Sequence, residues 1–346
     1  MTMHGSASPH KQESRTLDAN LKRRARKLAT DSRVDPRTRS LIRYGLQIKD
    51  EHLEQVVNRV EAGEMSIMTE RPPSPVLVED KLWILSSPTG LAQYDFNFES
   101  HFRCHHPYDL DSPIIAVARM GAAPDYQSRF DGLMQWGVRL IHTPSEYQRT
   151  SYLPEWYPLI KQCTPKSIWF EHFPSADEIL THFNLPVFLK GERQTNKHSR
   201  VQSIIESREQ LENVLQQWKQ ESILWWQRVV CREYLRLRPA TKSPGGDFPK
   251  SYEFRTFWWK HHCVGIGKYW VSEDYRLNPK DESEILAKGE LVSKALDVTF
   301  LVIDFAQTIE GEWIVIECND GQDSGYAGVH PRFMWQQIID HQLTTG

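Results

Sequence analysis

The 346 residues include only five cysteines, and no two of them form a CxxC pair. Cys104, Cys163, Cys231, Cys263 and Cys318 are dispersed and odd in number, which argues against a disulfide scaffold and for reduced thiols in a cytoplasmic protein. No apolar run approaches the roughly 18 residues that a membrane helix needs, so no membrane partner is expected. The opening MTMHGSASPHKQESR has no apolar core of the kind that directs secretion. No serine or cysteine sits in a nucleophile-elbow context. The lone GIG at 265–267 lies inside a strand pair and opens no helix, so a dinucleotide fingerprint is missing. Net charge is also scarce, at −3 for the whole chain, and by itself it points to no partner.

Apolar residues at 39% and charged residues at 25% fit a soluble globular chain of two or three domains. Charge is unevenly placed. Between Met1 and Tyr44 there are eleven Lys or Arg against four Asp or Glu. Nucleic acid, an acidic protein or a membrane surface would each suit LKRRARKLATDSRVDPRTR, but no aromatic residues interleave with the charges. A solvated arm with a basic helix face is therefore favoured over a nucleic-acid or acidic partner.

Residues 1–19 are polar and read as disordered, and 41–60 carry apolar residues at helical spacing (Leu46, Ile48, Leu53, Val56, Val57, Val60). The prolines of RPPSPVLVED mark a boundary near residue 71. Strands KLWILSS, IIAVARMG and VRLIHT then alternate with helices DGLMQWG and PSEYQRTSYL, which predicts a small parallel α/β domain. TPKSIWFEHFP reads as a link. Beyond it come strand LPVFLKGE, helix SREQLENVLQQWKQ, a long strand region ILWWQRVVCREYLRL, and a loop rich in Pro, Gly and Lys at 238–250. A hairpin over YEFRTFWWKHHCVGIGKYWV, a helix over ESEILAKGELVSKAL and a last hairpin complete an α+β pattern.

The last hairpin, VIDFAQTIEGEWIVIECNDGQ, carries acid where its strands are otherwise apolar. A turn centred on Glu310-Gly311 sets Asp304 opposite Glu317. Alternation then places Val302, Asp304, Trp313, Val315, Glu317 and Asn319 on one face, and Leu301, Ile303, Phe305, Ile314, Ile316 and Cys318 on the other. Opposed carboxylates destabilise a sheet unless something positive relieves them. That something is either a divalent cation or a neighbouring Arg or Lys.

Strand, Asp304, turn, strand, then Glu317 and Asn319 in IECN resembles the metal-binding hairpin of the ATP-grasp superfamily. NDGQDSG and EFRTF resemble the clade of that superfamily named for two arginines and a lysine. The resemblance implies an ATP-grasp fold of two α+β subdomains clasping ATP, preceded by a small α/β pre-grasp domain and an N-terminal helical extension. The implied limits are 1–70, 71–165 and 166–346. It implies that Asp304, Glu317 and Asn319 hold magnesium on ATP and that Lys190 reaches the α- and β-phosphates. Arg232 to Leu235 would form the adenine hinge, with Glu233 and Leu235 as contacts, and Glu253 would hold the ribose. Arg255 would stabilise the transferring phosphate, with Arg232 as a second candidate. The loop GERQTNKHS departs from the glycine-rich loop of many relatives, so Lys197 or the local backbone would cover the phosphates. A second nucleotide lysine is not evident after HTPSEYQRTSYL.

The activity so implied is ligation of a carboxylate to an amine through an acyl phosphate. Phosphoryl transfer to another acceptor, or a non-catalytic nucleotide-binding module, are the competing readings on the same fold. NDGQDSG is placed to meet a substrate carboxylate. Neither the substrates nor an oligomeric state is written in the sequence. HFRCHHP looks like half a zinc site without a second half. KHHC reads as a hairpin turn, and the twelve tryptophans read as packing rather than a stacking platform.

Overall fold

The computed structural model describes residues 18–31, 34, 39, 42–43, 46, 53–62, 74–107, 110–121, 125–193, 203–220, 224, 226–241 and 250–344. The chain divides into two compact units, Met1–Arg71 and Pro72–Gly346.

In the first unit, Asp18 caps helix α1 (Ala19–Thr30) by accepting from the N–H groups of Asn20 and Leu21. Leu21, Ala25, Leu28 and Ala29 form its buried stripe and meet Leu53, Val57 and Val60 of α2 (Leu53–Glu61). The lysines and arginines of α1 occupy the other face, and Arg24 pairs with Glu61 at 2.5 Å. The helix expected over 41–60 is helical at 42, 43, 46 and from 53 onward, and its other residues lie outside those described, as do residues 1–17.

The second unit opens with a five-stranded sheet: β1 (Val76–Val78), β2 (Leu82–Ser86), β3 (Cys104–His105), β4 (Ile114–Arg119) and β5 (Val138–Leu140), ordered β3-β1-β2-β4-β5. Only β2, β4 and β5 run parallel; β1 is antiparallel to both its neighbours, which corrects the expectation of a parallel sheet. β1 and β3 are three and two residues long, too short to show a period of two. Helix α3 (Tyr126–Met134) starts at its Asp125 cap, and α4 (Pro144–Ser151) starts at a capping box of Thr143 and Glu146. Helix α5 (Leu153–Ile160) buries Leu153, Trp156 and Ile160 in the core of the last sheet.

A small antiparallel sheet follows, ordered β6-β9-β7-β8, from β6 (Ser167–Trp169), β7 (Val187–Gly191), β8 (Ile204–Ile205) and β9 (Val229–Glu233). β6 lies inside the segment expected to be a link. β9 occupies only five residues of the long apolar stretch expected to be strand. Helices α6 (Ala176–Leu180) and α7 (Arg208–Trp218) cover one face of this sheet.

The last sheet is ordered β11-β10-β12-β13, from β10 (Glu253–Trp259), β11 (His262–Lys268), β12 (Phe300–Gln307) and β13 (Trp313–Asp320). Lys260 and His261, both at positive φ, turn β10 into β11, as KHHC implied. Helix α8 (Pro279–Leu296) packs on one face so closely that a Cβ at Gly289 would stand 2.1 Å from the Trp258 ring. Helix α9 (Pro331–Thr344) packs with residues of β1, β2 and β4 on the other. The two glycines of GIG are explained by a crossing chain. A Cβ on Gly267 would meet the backbone of Gly328 and Val329 at 2.3 Å, and one on Gly265 would meet Val329 at 2.6 Å.

Candidate nucleotide and metal site

β12 and β13 pair antiparallel, and Asp304 stands opposite Glu317, with Val302 opposite Asn319. The turn lies one residue away from the expected place, because Gln307 faces Trp313 and Gly311 N–H donates to the Thr308 carbonyl at 3.0 Å. A bulge at Ile316 absorbs the difference and restores the register at the acid end. The bulge also corrects the face assignment. Trp313 and Val315 lie in the apolar core with Ile303, Phe305 and Cys318, not beside the acids.

The acids already have cations. Arg255 comes from β10 directly opposite Asp304 and forks onto it, Nε to Oδ1 at 2.8 Å and Nη2 to Oδ2 at 2.7 Å. Its third nitrogen donates to the Gly325 carbonyl at 2.8 Å. Asp304 has 0% exposure. Burial alone would lower the Arg255 pKa, but Asp304 more than compensates and holds it above the ordinary arginine range. Glu317 accepts from Lys190 Nζ at 2.5 Å across the gap between the two sheets. Both members of that pair are buried.

Arg232 shares the Lys190 face of the small sheet, but its donors are engaged. Nε donates to Ser167 at 3.0 Å, Nη1 to the bulge carbonyl of Ile316 at 2.7 Å, and Nη2 to Thr164 at 2.6 Å. Burial pulls its pKa down to about 10, which leaves it charged at neutral pH. Arg232 thus clamps the small sheet to β13.

Glu233 ends β9, exposed, with its N–H donated to the Lys166 carbonyl at 2.8 Å. Leu235 is half-buried in the segment that passes from β9 to the end of β12, where Leu237 bridges Thr308. Glu253 is buried two residues before Arg255 on β10 and accepts from Ser251 Oγ at 2.8 Å. Asn319 is half-buried. Lys197 lies outside the described residues. Lys190, Arg255, Asp304 and Glu317 therefore come together at one place, with Arg232 behind them, and Asp304 and Glu317 share their sheet face with Asn319. Among the described residues no group of three or more His, Cys, Asp or Glu is placed to hold a metal.

Sequence reasoning missed the polar network that fixes the end of β13. His142 Nε2 accepts the Phe300 N–H at 3.1 Å, so its proton sits on Nδ1, which donates to Asp320 Oδ2 at 2.8 Å. Gln322 accepts the Ala118 N–H at 3.0 Å, and Arg119 Nη1 is within 3.0 Å of the carbonyls of Gly321, Gln322 and Ser324. These partners are more than 150 residues apart. The only local signal is the density of polar residues in NDGQDSG, which suggests a substrate-facing segment; Asp320, Gln322 and Ser324 instead face inward. At HFRCHHP, Cys104 and His105 form β3, while His105 pairs with Asp80 at 3.1 Å and His106 with Glu99 at 2.9 Å.

A family profile described as an ATP-grasp domain, family 3 of the clade named for two arginines and a lysine, matches residues 160–338. No curated protein matches the chain in sequence. Several solved structures are similar in shape. D-alanyl-alanine synthetase A from Vibrio cholerae is 14% identical, covers 70% of this chain and 78% of its own, and has a TM-score of 0.46. D-alanine–D-alanine ligase from Bacillus anthracis, complexed with ATP, is 13% identical, covers 66% and 78%, and also scores 0.46. A RimK domain protein ATP-grasp from Sphaerobacter thermophilus is 13% identical, covers 61% and 71%, and scores 0.41. Among the described residues no helix is long and apolar enough to cross a membrane.

Proposed function

The chain belongs to the ATP-grasp superfamily, within family 3 of the two-arginine, one-lysine clade, and on that premise we propose that it is a magnesium- and ATP-dependent ligase that joins a carboxylate to an amine. One observation carries the reading. Lys190 from one sheet and Glu317 from another meet near the Arg255–Asp304 pair, so two buried acids and two buried cations gather at one place.

Such a site is self-neutralised, and Mg-ATP supplies matching replacements. The phosphates are anionic and suit Lys190 and Arg255. The carboxylate, carboxylate and amide oxygens of Asp304, Glu317 and Asn319 are hard donors, and they fit magnesium, which keeps few protein ligands and shares the rest with phosphate and water. When bound, the ion would draw charge off the phosphate oxygens. Lys190 would hold the α- and β-phosphates and Arg255 the transferring group. Arg232 fixes the bulge that points Glu317 inward. Leu235 and the backbone near Glu233 would edge the adenine, with Glu253 at the ribose. A substrate carboxylate oxygen would attack the γ-phosphorus with departure of ADP, and an amine would then displace phosphate from the acyl phosphate. The α/β unit before 166 and the grasp after it would close on ATP, whereas the basic α1 face serves as a solvated surface.

Equilibrium titration with Mg-AMPPNP tests the site. Lys190→Met and Glu317→Gln should each weaken binding by about tenfold or more, since each removes a charged contact of roughly 1.5–3 kcal/mol. ADP release that requires both a carboxylate and an amine, with a condensed product by mass, is the expected turnover. Unchanged nucleotide affinity in both variants overturns the site. A stable phosphorylated product without amine favours phosphoryl transfer instead.

A further inference from the structure

The ligase reading leaves open how the site tells a metal-bound nucleotide from a bare one, and the following inference rests on that reading. Four buried charges stand in a row. Arg255 on β10 is the register partner of Asp304 on β12, and Asp304 is the register partner of Glu317 on β13. Lys190 reaches Glu317 from β7 of the small sheet, Nζ to Oε1 at 2.5 Å. The order across the row is therefore cation, anion, anion, cation. The side chains of Lys190, Glu317 and Asp304 are 3%, 9% and 0% exposed, and that of Arg255 is 11% exposed.

Carboxylates side by side on paired strands repel, and burial denies them water. Here each is held by its own flanking cation. Arg232 is also close by, but its donors go to Ser167, Thr164 and the Ile316 carbonyl, none of them a carboxylate. A group that took the two cations alone would leave Asp304 beside Glu317 without these counterions. A group that took the two acids alone would leave Lys190 and Arg255 in the same condition. Removing one member of a buried pair is costly because the other stays behind without it. A ligand that brings an anion and a cation together replaces all four partners at once.

We propose that the Lys190–Glu317 and Arg255–Asp304 pairs form an interlock that selects nucleotide complexed with a divalent cation over bare nucleotide. The phosphates draw Lys190 and Arg255 away only when an ion takes Glu317 and Asp304 in the same event. Glu317 then has two opposed effects on binding. It favours the metal-bound nucleotide as an oxygen donor, and it disfavours bare nucleotide by holding Lys190. A residue that served only as a metal ligand would have the first effect and leave the affinity for bare nucleotide untouched.

The test is calorimetric titration of the full chain with AMPPNP, once with a chelator and once in excess magnesium. Wild type is expected to bind the magnesium complex about tenfold or more tightly than bare nucleotide. Glu317→Gln should weaken the complex yet strengthen bare AMPPNP by about tenfold, the scale of one freed charged partner. Asp304→Asn should act in the same direction through Arg255, and it carries the test should Glu317→Gln lose its native circular dichroism. The gain requires the lysine: in a Lys190→Met background, Glu317→Gln should leave bare-nucleotide affinity within about twofold. A gain that persists in that background reports only general relief of negative charge and overturns the interlock. It is also overturned if Glu317→Gln binds bare AMPPNP no more tightly than wild type, or if wild type binds bare AMPPNP as tightly as its magnesium complex; either result leaves the ligase reading standing. Wild type that binds AMPPNP in neither condition overturns both.

Discussion

Replacing Arg255 by Met should be among the most damaging single changes in the chain. The substitution removes both hydrogen bonds to Asp304 and the one to Gly325, and it leaves a carboxylate of 0% exposure with no counterion. Breaking a buried pair by removing one member costs about 3–5 kcal/mol. Against a total stability of about 5–15 kcal/mol, that is a large share. Midpoints of domains move by roughly 2–4 °C per kcal/mol, so the thermal transition should fall by about 6–20 °C. Urea unfolding in the presence of a chelator gives the free energy directly. The decisive comparison is the double variant Arg255→Met/Asp304→Leu. Replacing the whole pair by apolar groups is near neutral, so most of the loss should return. Losses that simply add, or a single-variant cost below about 1 kcal/mol, would refute the view that this pair is a dry, mutually dependent unit.

Three other outcomes follow from particular contacts. Folding raises the Asp323 carboxyl pKa, so the native chain binds its proton more tightly than the unfolded chain. Wild-type stability should therefore fall as pH rises from about 3.9 through the native value and stay level above it. Asp323→Asn lacks that loss, and urea midpoints over a pH series should show the variant gaining on wild type across that window. Gly289→Ala should destabilise despite a helix-propensity gain of about 1 kcal/mol. Its Cβ would stand 2.1 Å from the Trp258 ring, and overpacking of this kind costs about 1–3 kcal/mol; calorimetry decides the sign. Burial pushes the Cys231 thiol up to about 12, Cys263 to about 11, and Cys318 well above the usual range. A thiol reagent near neutral pH should leave those three unlabelled by peptide mass until the chain unfolds, and early labelling of Cys318 would contradict its placement.

The acid hairpin was legible in the sequence because antiparallel pairing follows from one turn. Asp304 does face Glu317. The pairing survives a misplaced turn only because the Ile316 bulge offsets it, and the same bulge is why Trp313 and Val315 change face. The alternation of strands and helices before residue 152 was readable wherever strands are long enough for a pattern. The two- and three-residue strands β1, β3 and β6 are not, since tertiary pairing alone defines them. Lys190 and Arg255 could be singled out by family resemblance, but no local rule says which acid each would meet. The engagement of Arg232 by Thr164, Ser167 and the Ile316 carbonyl, and of Asp320 by His142, depends on sheets brought together from distant segments.

The network around Asp320 bears on where the protein could be divided. The family match begins at residue 160, which invites excision of 160–338 as a self-sufficient module. Such a fragment would inherit orphans. Asp320 would lose its imidazole, the carbonyls of Gly321, Gln322 and Ser324 would lose Arg119, and the core would lose Leu153 and Trp156. Sequence families mark stretches that vary together, whereas autonomy depends on which buried polar groups keep their partners after the cut. By that criterion the smallest portable piece starts before β1, with the strands and helices that sequence similarity leaves out.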